Sequence, residues 1–144
     1  MTTVAWDGQM MAADRQLTLG GTAIPLKKIF RYGNDLVGCC GSVQESMLFL
    51  EWYRNGRDPE KRPKLDEGFS AMVISAGLCQ RFENLLMPYL IDMPYWAAGS
   101  GADYALGAMA AGKNAKEAVE IAIRFDTGSG LGIDVLEIGE GGET

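Results

Sequence analysis

The chain has 144 residues, of which 47% are apolar and 22% charged, values typical of one globular domain spanning residues 1–144. A net charge of −6 argues against nucleic acid as a partner, because phosphate neutralisation needs clustered positive charge. The chain lacks histidine, which excludes Ser-His-Asp and Cys-His sites and His-ligated zinc, so a catalytic base would be a carboxylate, a lysine or the terminal amine.

Short strands are predicted over the first forty residues. TVAWD and QMMAA flank Asp7-Gly8, a dipeptide that favours a two-residue hairpin turn. After a break at Gly20-Gly21, KKIFRYG and LVGCCG flank Asn34-Asp35 and predict a second hairpin. Cys39 and Cys40 lie in this apolar segment, where buried packing is preferred to a reactive thiol.

A helix is predicted next, from Val43 to Arg54. Ser42 and Glu45 form a capping-box pattern at its start, and apolar residues recur behind them at helical spacing. A charged connection over residues 55–68 leads to a third hairpin about Ala76-Gly77.

The last third of the chain alternates between strand and helix patterns. YWAA predicts a strand, residues 102–111 predict a helix, and Asn114 with Glu117 caps another helix that ends near Phe125. IDVLEI predicts a final strand before a frayed acidic tail, EGGET. Hairpin-linked strands with amphipathic helices predict an α+β fold with layered, largely antiparallel sheets.

The compartment follows from what the sequence lacks. The three cysteines form no CxxC pair, the N-terminal residues show no secretory-signal pattern, and no apolar run reaches membrane-spanning length. We therefore expect a cytosolic protein without disulfides and without a membrane partner.

Five segments, in this order, resemble the proteasome β-subunit family, which includes the bacterial heat-shock protease subunit HslV: TTVAWDGQMMAADRQ, LKKIF, GCCGS, AAGSGADYALGAM and RFDTGSGLG. The family belongs to the N-terminal nucleophile (Ntn) hydrolases. The resemblance therefore implies a four-layer αββα sandwich and a threonine-type endopeptidase that uses neither cofactor nor metal. Single motifs are weak, and it is their shared order over nearly the whole chain that indicates the family.

The resemblance assigns catalytic roles residue by residue. Thr2 matches the N-terminal nucleophile, Lys28 the catalytic lysine, Asp14 the aspartate that holds it, and Gly41 the glycine whose N–H forms the oxyanion hole. Lys27 is a register alternative to Lys28. The polar set around the terminal amine matches Ser100, Asp126 and Ser129.

These residue types suit one another chemically. A threonine hydroxyl needs a base, and the α-amine of the same residue, with an ordinary pKa of about 7.7–8.0, is partly neutral near pH 7. The ammonium of Lys28 would lower the pKa of that amine, and Asp14 would keep Lys28 charged and in place. A glycine N–H can stabilise the oxyanion without a Cβ in the substrate's way.

Each residue also has a purely structural interpretation. Thr2 and Thr3 suit an ordinary strand, Asp14 a surface ion pair with Arg15, and Lys27-Lys28 a solvent-facing position. The AGSG segment suits a strand-to-helix turn, and it lacks the spacing of a phosphate-binding loop. The catalytic interpretation is preferred because the structural one requires five coincidences.

The resemblance also predicts a specificity pocket beside the nucleophile. Its positions are apolar and include no acid: Leu17, Leu26, Phe30, Cys39, Val43 and Met47. We therefore expect an apolar residue before the cut bond of the substrate. For Phe30 and Met47, a place in the hydrophobic core is an equal alternative.

The sequence departs from the family pattern at three points. The interval from Thr2 to Asp14 is shorter than in most members, and only one helix is predicted after GCCGS, where the family usually has two. Because those helices form the ring-stacking and regulator-docking face, we expect a homo-oligomer or ring but leave the ATPase unfoldase and the ring size open. Compact members of this kind resemble those of phages and prophages.

The third departure concerns activation, since only Met1 precedes Thr2 where proteasome β subunits commonly remove a propeptide. Aminopeptidase removal of Met1 is expected because threonine is small, and it would expose the amine that serves as the base. The sequence thus predicts a threonine peptidase acting on polypeptides. The alternatives are a proteasome-fold assembly or interaction protein without catalysis, and a stand-alone amidase acting on a small amide.

Overall fold

The structure, a computed structural model, describes residues 2–139, so that Met1 and the acidic tail of residues 140–144 lie outside it. The strands are β1 (Val4–Trp6), β2 (Met10–Asp14), β3 (Gln16–Leu19), β4 (Thr22–Pro25), β5 (Ile29–Tyr32), β6 (Asp35–Cys40), β7 (Ser70–Ser75), β8 (Leu78–Phe82), β9 (Tyr89–Leu90), β10 (Trp96–Ala98) and β11 (Ile133–Glu137). The helices are α1 (Val43–Arg54), α2 (Ala102–Ala110) and α3 (Ala115–Phe125), with a 3₁₀ turn at Pro59–Lys61.

Two antiparallel sheets carry the fold. The four-stranded sheet has the order β10-β1-β2-β11, and the five-stranded sheet has the order β5-β6-β7-β8-β9. Strands β3 and β4 form a separate hairpin, with Gln16 opposite Pro25 and Leu19 opposite Thr22. The predicted α+β class is confirmed.

Three hydrophobic clusters separate the layers. The first lies between the two sheets and includes Val4 and Met11 of one sheet and Ile29 and Met72 of the other. The second lies between the five-stranded sheet and α1. The third lies between the four-stranded sheet and the pair α2 and α3, where small residues such as Ala118 allow close packing. This order of packing is what an αββα sandwich requires.

Two of the three predicted hairpins turn one residue away from the expected position. At the first, the carboxylate of Asp7 accepts hydrogen bonds from the N–H groups of Gln9 and Met10 at 2.8 Å, so the turn is centred on Gly8-Gln9. At the second, Tyr32 lies opposite Asp35, and the turn is Gly33-Asn34. Gly33 takes the left-handed position at φ 61°, which explains the shift.

Helix α1 has the predicted bounds but two apolar faces. The Ser42 hydroxyl accepts from the Glu45 N–H at 3.1 Å, as expected for an N-cap. Phe49, Trp52 and Tyr53 are buried against the five-stranded sheet. Val43, Met47 and Leu50, which supplied the predicted helical spacing, lie on a neighbouring face and line a cavity instead.

The start of α3 is tied to the first hairpin. Asn114 and Glu117 form a reciprocal capping box, as predicted, and the Ala115 N–H donates to the second carboxylate oxygen of Asp7 at 2.8 Å. This contact fixes α3 against β1 and β2, the strands that carry the N-terminal residues. Between residues 2 and 139, no helix is long and apolar enough to cross a membrane.

Candidate active site

A buried ion pair lies beneath the N-terminal residues. The Nζ atom of Lys28 donates to both carboxylate oxygens of Asp14 at 3.0 Å, and both side chains are almost fully buried. Asp14 ends β2, and Lys28 directly precedes β5, so the pair joins the two sheets. Lys27 points elsewhere, with its Nζ atom 5.3 Å from the centre of the Phe30 ring. The geometry thus associates Lys28, and not Lys27, with Asp14.

Backbone groups complete the environment of the Asp14 carboxylate. One oxygen accepts from the Thr3 N–H at 2.9 Å, and the other accepts from the N–H groups of Gln16 and Gly130 at 3.0 Å. A buried carboxylate is tolerated only when paired and hydrogen-bonded, and both conditions are met here. We call Lys28 and Asp14 the lysine arm of the site.

A second polar group surrounds the backbone nitrogen of Thr2. The Thr2 N–H donates to the Ser100 hydroxyl at 3.1 Å, and Ser100 donates to Asp126 at 2.7 Å. Ser129 donates to the same carboxylate oxygen at 2.6 Å. We call Ser100, Asp126 and Ser129 the amine arm, because they gather around the atom that would be the terminal amine.

The charge state of the amine arm follows from its hydrogen bonds. Burial raises the pKa of the Asp126 carboxyl, but hydrogen bonds from Ser129, Ser100 and the Gly128 N–H outweigh that effect and hold the pKa below its ordinary value. Asp126 is therefore an ionised acceptor at neutral pH.

The close approach of two glycines holds Thr2 in place. The Gly101 N–H donates to the Thr2 carbonyl at 3.2 Å. Gly99 has φ 95°, and a Cβ there would lie 2.1 Å from the Thr2 carbonyl oxygen. Only glycine fits this position, for reasons of both conformation and space.

Thr2 lies in the wall of a cavity of about 220 Å³. All six predicted pocket residues line it, together with Lys28 and Gly41, the latter in the loop between β6 and α1. Met47 is 63% exposed and so is not a core residue. Sequence reasoning missed four further lining residues: Gln16, Lys27, Ser46 and Leu50. The helical spacing from Val43 would have found Ser46 and Leu50, which share its face of α1.

The cysteines do not supply a nucleophile. Burial raises the pKa of Cys40 and Cys79 to about 11 and that of Cys39 further still. All three are therefore neutral thiols at physiological pH, and Cys39 forms part of the cavity wall as an apolar side chain. Among residues 2–139, no cluster of acids and cysteines could hold a metal ion.

Comparison with solved structures shows that the fold is similar to that of two proteins, BPH and HslV. Two structures of Thiobacillus denitrificans BPH match. One is in complex with epoxomicin (TM-score 0.73, 20% identity, 97% of this chain and 100% of that chain), and the other is a second BPH structure (TM-score 0.72, 21% identity, 94% of this chain and 98% of that chain). HslV from Trypanosoma brucei matches with a TM-score of 0.72 at 22% identity, over 94% of this chain and 97% of that one.

At these identities the likeness establishes the fold. The sequence itself matches no protein-family model and no curated protein. The resemblance inferred from the five sequence segments is thus confirmed at the level of the fold, and the chemistry has to be argued from this chain's own residues.

Proposed function

We propose that the chain is a threonine peptidase of the HslV and proteasome type, with Thr2 as its nucleophile once Met1 has been removed. The observation that carries this proposal is the convergence of two polar groups on one residue. Lys28 of the lysine arm and Thr2 line the same cavity, and Ser100 of the amine arm accepts the hydrogen bond of the Thr2 backbone nitrogen. An ordinary strand threonine requires neither group.

The proposed reaction proceeds through an ester on Thr2. The α-amine of Thr2 takes the hydroxyl proton as the oxygen attacks the substrate carbonyl carbon. The oxyanion forms opposite the Gly41 N–H, which stabilises it. Collapse breaks the peptide bond, and the departing amine receives the proton. Water, deprotonated by the same α-amine, then hydrolyses the ester and regenerates Thr2.

The cavity supports a preference for apolar side chains before the cut bond. Leu17, Leu26, Cys39 and Val43 line it, and no carboxylate among the described residues lines it beside them. The two cations that line it, Lys27 and Lys28, would repel a basic side chain. An apolar side chain would instead gain about 25 cal/mol for each Å² of surface removed from water.

We also propose that this cytoplasmic peptidase acts on polypeptides as a homo-oligomer. Support comes from the exposed apolar side chains between residues 78 and 93, because a group of exposed apolar residues in one segment favours an interaction surface. They include Leu78, Leu85, Met87, Tyr89, Leu90 and Met93.

Intact-mass analysis tests the proposal directly. The purified protein, treated with an epoxyketone such as epoxomicin, should lack Met1 and gain one inhibitor mass. Thr2→Ala should lose Met1 and gain nothing, because it keeps the small residue that permits removal but lacks the nucleophile. Thr2→Ser is the matched control and should still be labelled. Native mass spectrometry of the same sample reports the oligomer.

The opposite result identifies the rival function. A retained Met1 with no adduct would leave a proteasome-fold assembly or interaction protein without catalysis, because Thr2 would then carry an amide nitrogen that cannot act as a base. Labelling that persists in Thr2→Ala would assign the nucleophile to another residue.

A further inference from the structure

We propose that Thr3 is a positioning residue that couples the lysine arm to the amine arm, an inference that rests on the proposed function. Thr3 is fully buried, and it is the one residue with hydrogen bonds to both arms among those described. Its N–H donates to Asp14 at 2.9 Å, and its hydroxyl oxygen lies 2.8 Å from that of Ser129. The sequence alone suggests only a β-branched strand residue here.

The direction of the Thr3 hydrogen bond is fixed by its neighbours. The Ser129 hydroxyl has one hydrogen, and this hydrogen goes to Asp126 at 2.6 Å, because an ionised carboxylate can only accept. Ser129 must therefore accept from Thr3. The same reasoning applies to Ser100, whose hydrogen also goes to Asp126 and whose lone pairs face the Thr2 nitrogen.

A single order of protons follows for the whole amine arm. Thr3 donates to Ser129, Ser129 and Ser100 both donate to Asp126, and the Thr2 nitrogen donates to Ser100. A Thr2 amine that donates one N–H to Ser100 is held in one orientation, and its lone pair points in a direction other than Ser100. Without the Thr3 hydroxyl, Ser129 loses its donor and Asp126 loses a fixed partner.

The surrounding backbone is shaped around this hydroxyl. A Cβ on Gly101, which precedes α2, would lie 1.9 Å from the Thr3 hydroxyl oxygen. The Thr3 hydroxyl also forms its hydrogen bond with Ser129, which is 126 positions away in the sequence. Threonine hydroxyls more commonly bond to nearby backbone groups. Space is thus kept at the start of α2 for a contact that joins the N-terminus to the loop after α3.

Thr3→Val and Thr3→Ser test the role. Valine keeps the shape and removes the hydroxyl, whereas serine keeps the hydroxyl and removes the methyl group. Thr3→Val should lower kcat on a fluorogenic peptide by about 10- to 100-fold with little change in KM, as expected when a reacting group is misplaced. Thr3→Ser should stay within about threefold of wild type.

A second readout does not depend on peptide turnover. The pH dependence of acylation of the Thr2 amine by acetic anhydride gives its apparent pKa in each variant. This pKa should differ from wild type in Thr3→Val and match it in Thr3→Ser. A role of Thr3 in packing alone would not make the amine pKa differ between Thr3→Val and Thr3→Ser.

The outcomes separate this inference from the function it rests on. If Thr3→Val matches wild type in kcat and in the amine titration, or if Thr3→Ser falls as far as Thr3→Val, positioning by the hydroxyl is wrong and the peptidase stands. If wild type loses Met1 but cleaves nothing, the peptidase falls, and a shifted amine pKa in Thr3→Val still supports positioning. A retained Met1 overturns both.

Discussion

Two adjacent lysines show how much one position changes the environment of a side chain. Lys28 is buried against Asp14, whereas Lys27 is exposed beside Phe30. The sequence left the choice between them open because neither composition nor strand periodicity tells which of the two side chains faces inward. The structure assigns the ion pair to Lys28 because Lys28 directly precedes β5, where the chain passes beneath β2.

Replacing each lysine with methionine tests this difference. Lys28→Met should lower the free energy of unfolding by about 3–5 kcal/mol, because it leaves the Asp14 charge buried without its partner. Lys27→Met is the matched control and should change it by less than about 0.5 kcal/mol. Urea unfolding at pH 7 measures both. Equal effects, or a larger one for Lys27→Met, would return the lysine assignment to Lys27.

At the scale of elements, the start of α2 is the most restricted place near the site. Gly101 has φ −92°, a conformation open to any residue, so its constraint is one of space alone. A Cβ there would meet the Thr3 hydroxyl and would also lie 3.2 Å from a carboxylate oxygen of Asp126. The Thr3 hydroxyl and the Asp126 carboxylate would both have to move. Asp126 belongs to the proposed amine arm, and Thr3 contacts that arm through Ser129.

Alanine substitutions at two glycines of this region should therefore change the free energy of unfolding in opposite directions. Gly101→Ala should lower the free energy of unfolding by about 1–3 kcal/mol and slow epoxyketone labelling of Thr2. Gly107→Ala lies inside α2, where the new Cβ would meet nothing within 4 Å beyond its own helical turns, and should raise the free energy of unfolding by about 0.5–1 kcal/mol and leave labelling unchanged. Thermal unfolding and labelling rates report both. A wild-type labelling rate in Gly101→Ala would contradict the crowding argument.

Most elements could be predicted from the sequence, because caps and hydrophobic periodicity are local signals. Helix α1 has the bounds that its N-cap and spacing indicated. For the hairpin of β3 and β4 the sequence predicts only a break at Gly20-Gly21, because its mostly exposed strands show little alternation of burial. The sequence predicts the first turn one residue too early and the second one residue too late, because the side-chain bonds of Asp7 and the left-handed Gly33 decide their centres.

At the scale of the whole molecule, the cavity is assembled from segments far apart in the chain. The β3–β4 hairpin, the strand β6 and helix α1 each contribute a wall, and Thr2 comes from the N-terminus. The six apolar lining residues are predicted from the sequence through the family resemblance. The lining by Gln16 and Lys27 has no such signal, because it depends on how segments distant in the sequence pack around the cavity.

The cavity predicts a measurable selectivity. A fluorogenic peptide with leucine before the cut bond should have a kcat/KM at least about tenfold above its arginine counterpart, since the guanidinium would be desolvated without an acidic partner. Met47→Glu should narrow this ratio, because the new carboxylate lies at the cavity wall. Leu48→Glu, also exposed on α1 but outside the cavity, should not. Faster cleavage after arginine by wild type would refute the preference.

The hydrogen bonds of Asp14 have a consequence for the order of events during folding. Its donors come from residues 3, 16, 28 and 130, so the last of them arrives only after a loop of 116 positions has closed. Closing so long a loop is a late and entropically costly step. A nascent or partly folded chain therefore has an unsupported carboxylate and a loosely held lysine. In the proposed peptidase, catalytic competence would therefore arise only when the fold is complete, and an immature chain would not cut its neighbours.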